Sequence, residues 1–425
     1  MKSHVLLTTI IGLSAILSGC DVLNVNNPNS LVEQDLENPA AAPAIANGAE
    51  ATLTSALGSV LAPYSVASDE LTWIGTRDAW LELNQGRTES PTNEFIDEAF
   101  TSLSQSRWTA DQAVLRLERF RENGTLTSAE PLIRAYAYAA ISYTTIAETF
   151  DDFVISDRTD ASPAIGAENI GALFDTAIGY VNKALDLDAS SGNWRKNLLA
   201  LRARIHFSAE LRRQNASGFD IGSPLVHTEL AAADARDALQ LIGQEDWVWQ
   251  LEVTPQTPGN SLAFNVNTRR ELRISNTYVS PTSDNTRVDF VTLEDPITEA
   301  VSPTLTSAVS TFTEAIQYAD FTVVSKRELL LILAESGLAN NHGSFETNIN
   351  ALRSLDNLPD YTGQTDAQAL LVHSRQVNLF LQGRRLADQY RFGIESPEWT
   401  STFKTTGKFF PITISEINSN PFLTF

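Results

Sequence analysis

Two clusters of tryptophan residues carry the side chains best suited to hold a ligand. In the stretch 69–80 (DELTWIGTRDAW), helical spacing would place Trp73, Arg77 and Trp80 on one face, as an aromatic, basic, aromatic stripe. In the second cluster, strand geometry would place Trp247 and Trp249 on the same face. Aromatic rings stack on the apolar faces of sugars, while polar side chains reach the hydroxyl groups. We predict these five residues as ligand contacts; the alternative is that the tryptophans pack in the core or at a sheet edge.

Motifs for catalysis or metal binding are weak by comparison. The histidines beyond the N-terminus, His206, His227, His342 and His373, form no His-Glu-x-x-His pair and no spacing typical of a metal site. The sequence has no phosphate loop, no dinucleotide glycine fingerprint and no Gly-x-Ser-x-Gly elbow. A glycosidase with two carboxylates stays open, because such sites are assembled in space and leave no short motif. We predict a binding protein with no catalytic residues, no metal and no cofactor.

The charge of the chain argues against polyanionic partners. It has 52 acidic and 30 basic residues, which gives a formal net charge of −22. Nucleic-acid binding depends on basic patches that release counterions, and adhesion to anionic lipid depends on basic clusters. The composition therefore excludes nucleic acid as an expected partner.

The N-terminus predicts a membrane address. Lys2 precedes an apolar run over 5–17, and the sequence Leu-Ser-Gly ends at Cys20, the single cysteine of the chain. This pattern is typical of a lipoprotein signal peptide over 1–19, cut before a cysteine that is then lipidated. The alternative is an ordinary secretory signal with an incidental cysteine. We expect residues 20–38 to form a lipidated tether.

Helical periodicity dominates the region 39–243. Apolar stripes predict helices from about residue 40, over 93–122 with Gly124 as its C-cap, and over 128–150. Further helices are predicted as pairs, 168–187 with 194–213 and 325–339 with 344–355, and a long helix after a capping box at 365–368 is expected to reach residue 391. The predicted fold is mainly α, with tetratricopeptide-like helix pairs in a globular scaffold.

The region 244–311, called the insertion below, has a different character. It is rich in Thr, Val, Asn and Pro, and predicts short strands at 247–253, 262–266 and 288–293. Loops on a rigid scaffold commonly carry ligand contacts, although this segment could equally be connecting structure.

The C-terminal region, 312–425, carries a recognisable signature. The stretch 375–393 (RQVNLFLQGRRLADQYRFG), the Phe-Pro-Ile at 410–412 and the EINSNP at 416–421 resemble the end of the SusD/RagB family. The positions in register are Gly383, Arg385, Asp388, Arg391, Gly393, Pro411, Glu416, Asn420 and Pro421. Along one helix face, Arg384 and Arg385 could each pair with Asp388. We interpret these pairs as structural.

The resemblance implies a nutrient-binding lipoprotein on the outside of a bacterial outer membrane. Such proteins have a SusD-like α/α superhelix, bind oligosaccharides and deliver them to a SusC-like TonB-dependent transporter. Two alternatives stay open at this point. One is the same fold capturing peptides or another nutrient, and the other is a helical-repeat scaffold for protein interaction with no small ligand.

Overall fold

The computed structural model describes residues 33–188, 192–216, 218–257, 259–340 and 344–423. The predicted signal peptide over 1–19, the lipidation site Cys20 and most of the tether lie outside the described residues. In the described part of the chain, no helix is both long enough and apolar enough to cross a bilayer.

Helices make up most of the described chain up to residue 242. They are α1 (Glu33–Leu36), α2 (Ala42–Ala67), α3 (Asp78–Asn84), α4 (Glu94–Glu122), α5 (Glu130–Thr149), α6 (Ala172–Asp188), α7 (Arg195–Asn215) and α8 (Glu229–Ile242), with the strand β1 (Leu71–Trp73) between α2 and α3. Local capping explains where α4 begins, because the Asn93 side chain accepts the backbone N–H groups of Phe95 and Ile96. The helix predicted over 93–122 is confirmed.

The predicted apolar stripes form the contacts between successive helices. Ile45, Ala49, Leu53 and Leu57 of α2 are all buried. Helix α2 packs on α4, α4 on α5, α5 on α6, α6 on α7 and α7 on α8, so each helix between the two ends of the series contacts two neighbours. This stacking confirms the mainly α scaffold of helix pairs predicted from the sequence.

The second half of the chain mixes short strands with helices. Its elements are β2 (Val248–Leu251), α9 (Ser261–Ala263), a π-helical turn (Phe264–Thr268), β3 (Leu272–Ile274), β4 (Val279–Pro281), β5 (Val288–Val291), α10 (Pro303–Glu314), β6 (Phe321–Ser325), α11 (Lys326–Ala339), α12 (Ser344–Ser354), α13 (Ala367–Asn378), α14 (Arg385–Phe392) and α15 (Ile414–Ser419). The described strands form three antiparallel pairs, β1 with β3, β2 with β6 and β4 with β5.

One of the three strands predicted in the insertion is wrong. The segments 247–253 and 288–293 contain β2 and β5, but 262–266 is helical. The cause is local, because Asn260 caps this segment by accepting the Ala263 N–H at 3.0 Å. Asn265 also donates its side-chain amide to the Ser261 carbonyl at 2.8 Å. Asparagine side chains that satisfy nearby backbone groups compete with strand pairing, and here they prevail over the apolar pattern.

The long helix predicted to end at residue 391 is also wrong, because it is broken between α13 and α14. Leu381 and Gly383 have positive φ angles of 57° and 73°. The Leu381 N–H donates to the Glu70 carboxylate at 2.6 Å. A Cβ on Gly383 would lie 2.6 Å from the Leu61 side chain, so the chain reverses close to α2 at a position that favours glycine. Contacts with α2 and the residues that follow it therefore interrupt the helix.

The C-terminal signature forms a buried ionic network. Arg391 makes ion pairs with Glu335 and with Asp388, and Arg375 donates to Asp388 at 2.8 Å. Burial disfavours ionisation of Asp388, but the charges of Arg375 and Arg391 outweigh it and hold its pKa below the usual value. The signature therefore ties α11, α13 and α14 together inside the protein.

The pairing predicted for Arg384 and Arg385 is wrong. Arg385 makes a bidentate pair with Asp69, with both N–O distances at 2.7 Å. Arg384 donates to Glu328 at 3.0 Å. Both guanidinium groups are thus held by carboxylates of other elements, and neither pairs with Asp388. Both arginines join distant elements, which agrees with a structural role.

Candidate functional site

The stretch that carries Trp73, Arg77 and Trp80 is not a single helix. It runs from β1 through a turn into α3, and Arg77 is the N-cap residue of α3. The turn is held by Glu271, whose carboxylate accepts the Thr76 N–H at 2.9 Å and the Arg77 N–H at 3.3 Å. A Cβ at Gly75 would overlap this carboxylate, so glycine permits the close approach. The predicted aromatic, basic, aromatic face is therefore absent from this stretch.

Each member of this cluster has its own environment. Trp80 is only 1% exposed, and its ring stacks on Phe95 with the centroids 3.5 Å apart. Arg77 pairs with Glu94 and lies over the Phe95 ring at 4.6 Å. Trp73 is half-buried, and its backbone N–H donates to Asn84 at 3.1 Å. Trp80 thus serves the core, while Trp73 and Arg77 keep part of their surface accessible.

Trp249 lies in β2 and Trp247 directly precedes this strand, whereas Val248 between them is exposed. Trp249 is 7% exposed and meets Trp194 edge to face, with the centroids 5.8 Å apart. Trp247 is half-buried, and the Lys196 ammonium lies 5.8 Å from its ring centre. Because β2 pairs with β6 and β1 pairs with β3, the two predicted clusters belong to different sheets.

A cleft of about 790 Å³ opens within and beside the insertion. It is called the insertion cleft below. Its walls are the π-helical turn, the strands β3 and β5, and the helix α10. Asn267 holds the turn against the end of α10 by donating to the carbonyl groups of Phe312 and Ile316, each at 2.8 Å. Turns of π-helix occur often at functional sites, and this one forms part of the cleft wall.

The insertion cleft joins an exposed aromatic ring to polar groups. Phe290 on β5 is 57% exposed, although it is a large apolar side chain. Asn267, Arg270, Arg287 and Asp289 also line the cleft. An aromatic face surrounded by groups that donate and accept hydrogen bonds is the arrangement expected for a sugar ring. Trp73 is not among the residues that line the cleft, although its cross-strand partner Leu272 directly precedes the lining residue Arg273.

A second cleft of about 960 Å³ lies between α7 and the segment 406–408. Its principal polar groups are already bonded within the protein. Arg212 pairs with Asp151 at 2.8 Å, Arg213 pairs with Glu210, and the Tyr390 hydroxyl donates to the Lys408 carbonyl at 2.9 Å. The second cleft also differs from the insertion cleft in its lining, whose described residues include no exposed phenylalanine or tryptophan ring comparable to Phe290.

Clusters of metal-binding side chains are not found in the described residues. No group of three or more His, Cys, Asp or Glu side chains there could hold a metal ion. Burial lowers the pKa of His373 to about 4, and His227 bonds to the Ser336 hydroxyl at 2.8 Å. His342 lies outside the described residues. Among the described residues lining the insertion cleft, Asp289 is the single carboxylate, whereas a glycosidase site usually needs two.

Sequence reasoning missed Phe290 and the arginines of the insertion cleft. A usable signal was present, since RRELR at 269–273 places three arginines within five residues of a strongly acidic chain. Phe290 lies in the predicted strand 288–293, but nothing in the sequence marks its ring as exposed. The cleft brings together segments that are up to about 50 residues apart, which no short motif records.

Known structures share the architecture of this chain. No protein-family model and no curated protein sequence matches it. A SusD superfamily protein from Parabacteroides distasonis, 13% identical, matches with a TM-score of 0.64 over 93% of this chain and 99% of that one. The chain has a SusD-like fold. The resemblance seen in the C-terminal signature is therefore confirmed at the level of the fold.

Two further solved structures that share this architecture are of proteins associated with glycans. A laminarin-binding SusD-like protein is 12% identical and has a TM-score of 0.53, over 89% of this chain and 98% of that one. A protein crystallised with a xylogluco-oligosaccharide is 13% identical and has a TM-score of 0.61, over 90% of this chain and 97% of that one. At these identities the likeness concerns the SusD-like fold alone.

Proposed function

We propose that this protein is a lipid-anchored glycan-binding protein of the bacterial outer membrane, which passes oligosaccharide to a TonB-dependent transporter. The observation that carries the binding role is the insertion cleft, which the exposed ring of Phe290 lines together with the side chains of Arg270 and Arg287. A soluble protein leaves a large aromatic ring open to water at some cost, and a ring in a cleft is a favourable stacking platform.

The fold supports the same proposal. Proteins of this fold include one that binds laminarin and one crystallised with a xylogluco-oligosaccharide. We propose that this chain also binds a glycan. We do not assign it laminarin or xyloglucan in particular. A role in binding is preferred to catalysis because the insertion cleft offers Asp289 as its one described carboxylate.

The five predicted contacts contribute unequally to this proposal. Trp80 and Trp249 are buried, so we propose that they stabilise the hydrophobic core and do not contact the ligand. Trp73, Arg77 and Trp247 keep accessible surface. Trp73 does not line the insertion cleft, but its strand pairs with β3 of the cleft wall, so it would contact only a ligand that reaches beyond the cleft. Trp247 belongs to another sheet and would make a separate contact surface.

The anchor and the partner complete the proposal. Lipidation at Cys20 would keep the binding domain at the membrane, and the residues after it would give the domain reach. The transporter partner follows from the resemblance of the C-terminal signature to the SusD/RagB family. Because a net charge of −22 disfavours binding to nucleic acid, the proposal includes no nucleic-acid partner.

A glycan screen tests the binding role. The chain from Asp21 onward, which lacks the lipidated cysteine, is applied to an array of bacterial, plant and algal polysaccharides and their oligosaccharides, with a peptide library as the comparison. We expect saturable binding to a glycan. Binding to peptides alone would replace the glycan by another nutrient, and the absence of binding to either library would contradict a nutrient-capture role.

A further inference from the structure

The charge of the insertion cleft is opposite to that of the whole protein. Arg270, Arg273 and Arg287 line it, and Asp289 is the acidic residue among the described lining side chains. The chain as a whole has a formal net charge of −22. At physiological ionic strength, charges more than about 8 Å away are strongly screened, so the local arginines dominate the field that a ligand in the cleft experiences.

Arg273 is a buried cation with unused bonding capacity. It is 5% exposed, and it makes no ion pair with any described residue. One of its terminal nitrogens donates to the Ile274 carbonyl at 2.8 Å, while its Nε–H is buried without a hydrogen-bond partner among the described residues. Burial lowers the pKa of this guanidinium below its usual value, and the charge of Glu398 opposes that effect. A buried guanidinium without a carboxylate is costly unless an anion binds beside it.

Arg270 and Arg287 complete the cationic surface. Both side chains are exposed, and neither makes an ion pair or a side-chain hydrogen bond with the described residues. The backbone of Arg270 has a φ of 60°, in the left-handed region that residues other than glycine seldom occupy. The turn thus holds this arginine at the cleft in an uncommon conformation. Strained residues of this kind concentrate at ligand sites.

We propose that the insertion cleft binds an oligosaccharide that carries carboxylate or sulfate groups. This inference rests on the proposed glycan-binding function and specifies its substrate class. The planar guanidinium groups of Arg270, Arg273 and Arg287 match the paired oxygen atoms of a uronate or a sulfate ester. Phe290 supplies the apolar surface for the sugar ring. The net negative charge of the chain would then repel acidic glycans from the rest of the surface, so that they bind at the cleft.

The first experiment compares ligand charge at constant sugar size. The chain from Asp21 onward is screened against neutral, uronate-bearing and sulfated glycans, and the best binders are titrated by calorimetry beside neutral glycans of equal length. The acidic glycans are expected to bind at least about tenfold more tightly at low salt, and the advantage is expected to shrink as sodium chloride is raised. The uronate and sulfate arms distinguish the two sources of negative charge.

The second experiment places the effect in the cleft. Arg270→Gln and Arg287→Gln change exposed residues, and each is expected to weaken acidic-glycan binding about tenfold, more than it weakens the binding of a neutral glycan of equal length. Arg121→Gln, at an exposed arginine near the end of α4, is the matched control. Arg273→Met is expected to weaken binding without lowering the melting temperature, because it removes a buried cation that has no ion pair.

Each remaining outcome contradicts a defined part of the inference. Equal or tighter binding of neutral glycans would overturn the acidic substrate class and leave the glycan-binding function standing. A preference for acidic glycans that survives all three substitutions would overturn the assignment to this cleft. Binding of no glycan at all would overturn the proposed function as well.

Discussion

Glu70 provides the sharpest test of the buried network that positions the site. Its carboxylate accepts the Leu381 N–H at 2.6 Å and the Ser65 hydroxyl at 3.1 Å. The neighbouring Asp69 takes Arg385 as its partner, and Glu70 makes no ion pair with any described residue. Burial raises the pKa of Glu70 from 4.5 to about 7, although the hydrogen bond from Leu381 opposes that rise.

The expected effect of Glu70→Gln follows from this pKa. A shift from 4.5 to about 7 corresponds to about 3 kcal/mol between the two protonation states. Because the folded-state pKa is raised, the contribution of Glu70 is fully present below pH 4.5 and is lost as the pH rises through 7. Glutamine stays neutral; its Oε1 can accept the Leu381 N–H, and its side-chain amide can donate to the Ser65 hydroxyl. The variant should therefore gain about 3 kcal/mol relative to the wild type between pH 4.5 and about pH 8.

Urea unfolding followed by tryptophan fluorescence across this pH range measures the difference. The difference between variant and wild type is the informative quantity, because His373 opposes the trend in the wild-type curve. Its pKa is lowered to about 4, so its contribution to stability is lost as the pH falls from 6.5 toward 4. Glu122→Gln, at an exposed position, is the control. A stability difference for Glu70→Gln that does not change with pH would refute the reasoning.

Three further predictions concern the core, the broken helix and the anchor. Trp80→Ala should lower the free energy of unfolding by about 3–5 kcal/mol, because a fully buried ring is lost; a loss below about 1 kcal/mol in urea unfolding would contradict its core role. Gly383→Ala should destabilise the protein more than Gly124→Ala, since both glycines have positive φ but only the first would bring a Cβ against Leu61; equal melting temperatures would count against this explanation of the break. Cys20→Ala should move the protein from the membrane fraction to the soluble fraction, and retention in the membrane would disprove lipidation at this residue.

The helical scaffold was predictable because its causes are local. The helix α4 follows from an apolar stripe, the cap Asn93 and a glycine at residue 124, all visible in the sequence. Ser325 likewise caps α11 by accepting the Glu328 N–H at 3.2 Å. Spacing and capping chemistry suffice where neighbouring residues decide the conformation.

The failures have distant causes. The turn after Trp73 is held by Glu271, which is 195 residues from Thr76 in sequence. The break before α14 is held by Glu70, which is 311 residues from Leu381. In both places a buried carboxylate binds backbone N–H groups of a remote segment and overrides the helical pattern. Local periodicity holds no record of such a contact.

The site was predictable in location more than in detail. The insertion was recognised as a place for ligand contacts, and a cleft is found there. The tryptophans were chosen by residue type, yet Trp80 and Trp249 are buried, because large aromatic rings also stabilise cores. Phe290 could not be selected, since its exposure depends on how β5 lies against β4 and α10.

Calorimetric titration of the best glycan from the screen tests the central claim most directly. Phe290→Ala is compared with Phe422→Ala, because the two rings are 57% and 60% exposed and Phe422 is not among the residues that line the insertion cleft. If the sugar stacks on Phe290, Phe290→Ala weakens binding about tenfold or more, and Phe422→Ala leaves the affinity unchanged. An unchanged affinity for Phe290→Ala, or an equal loss in both variants, would contradict the assignment of the glycan site to the insertion cleft.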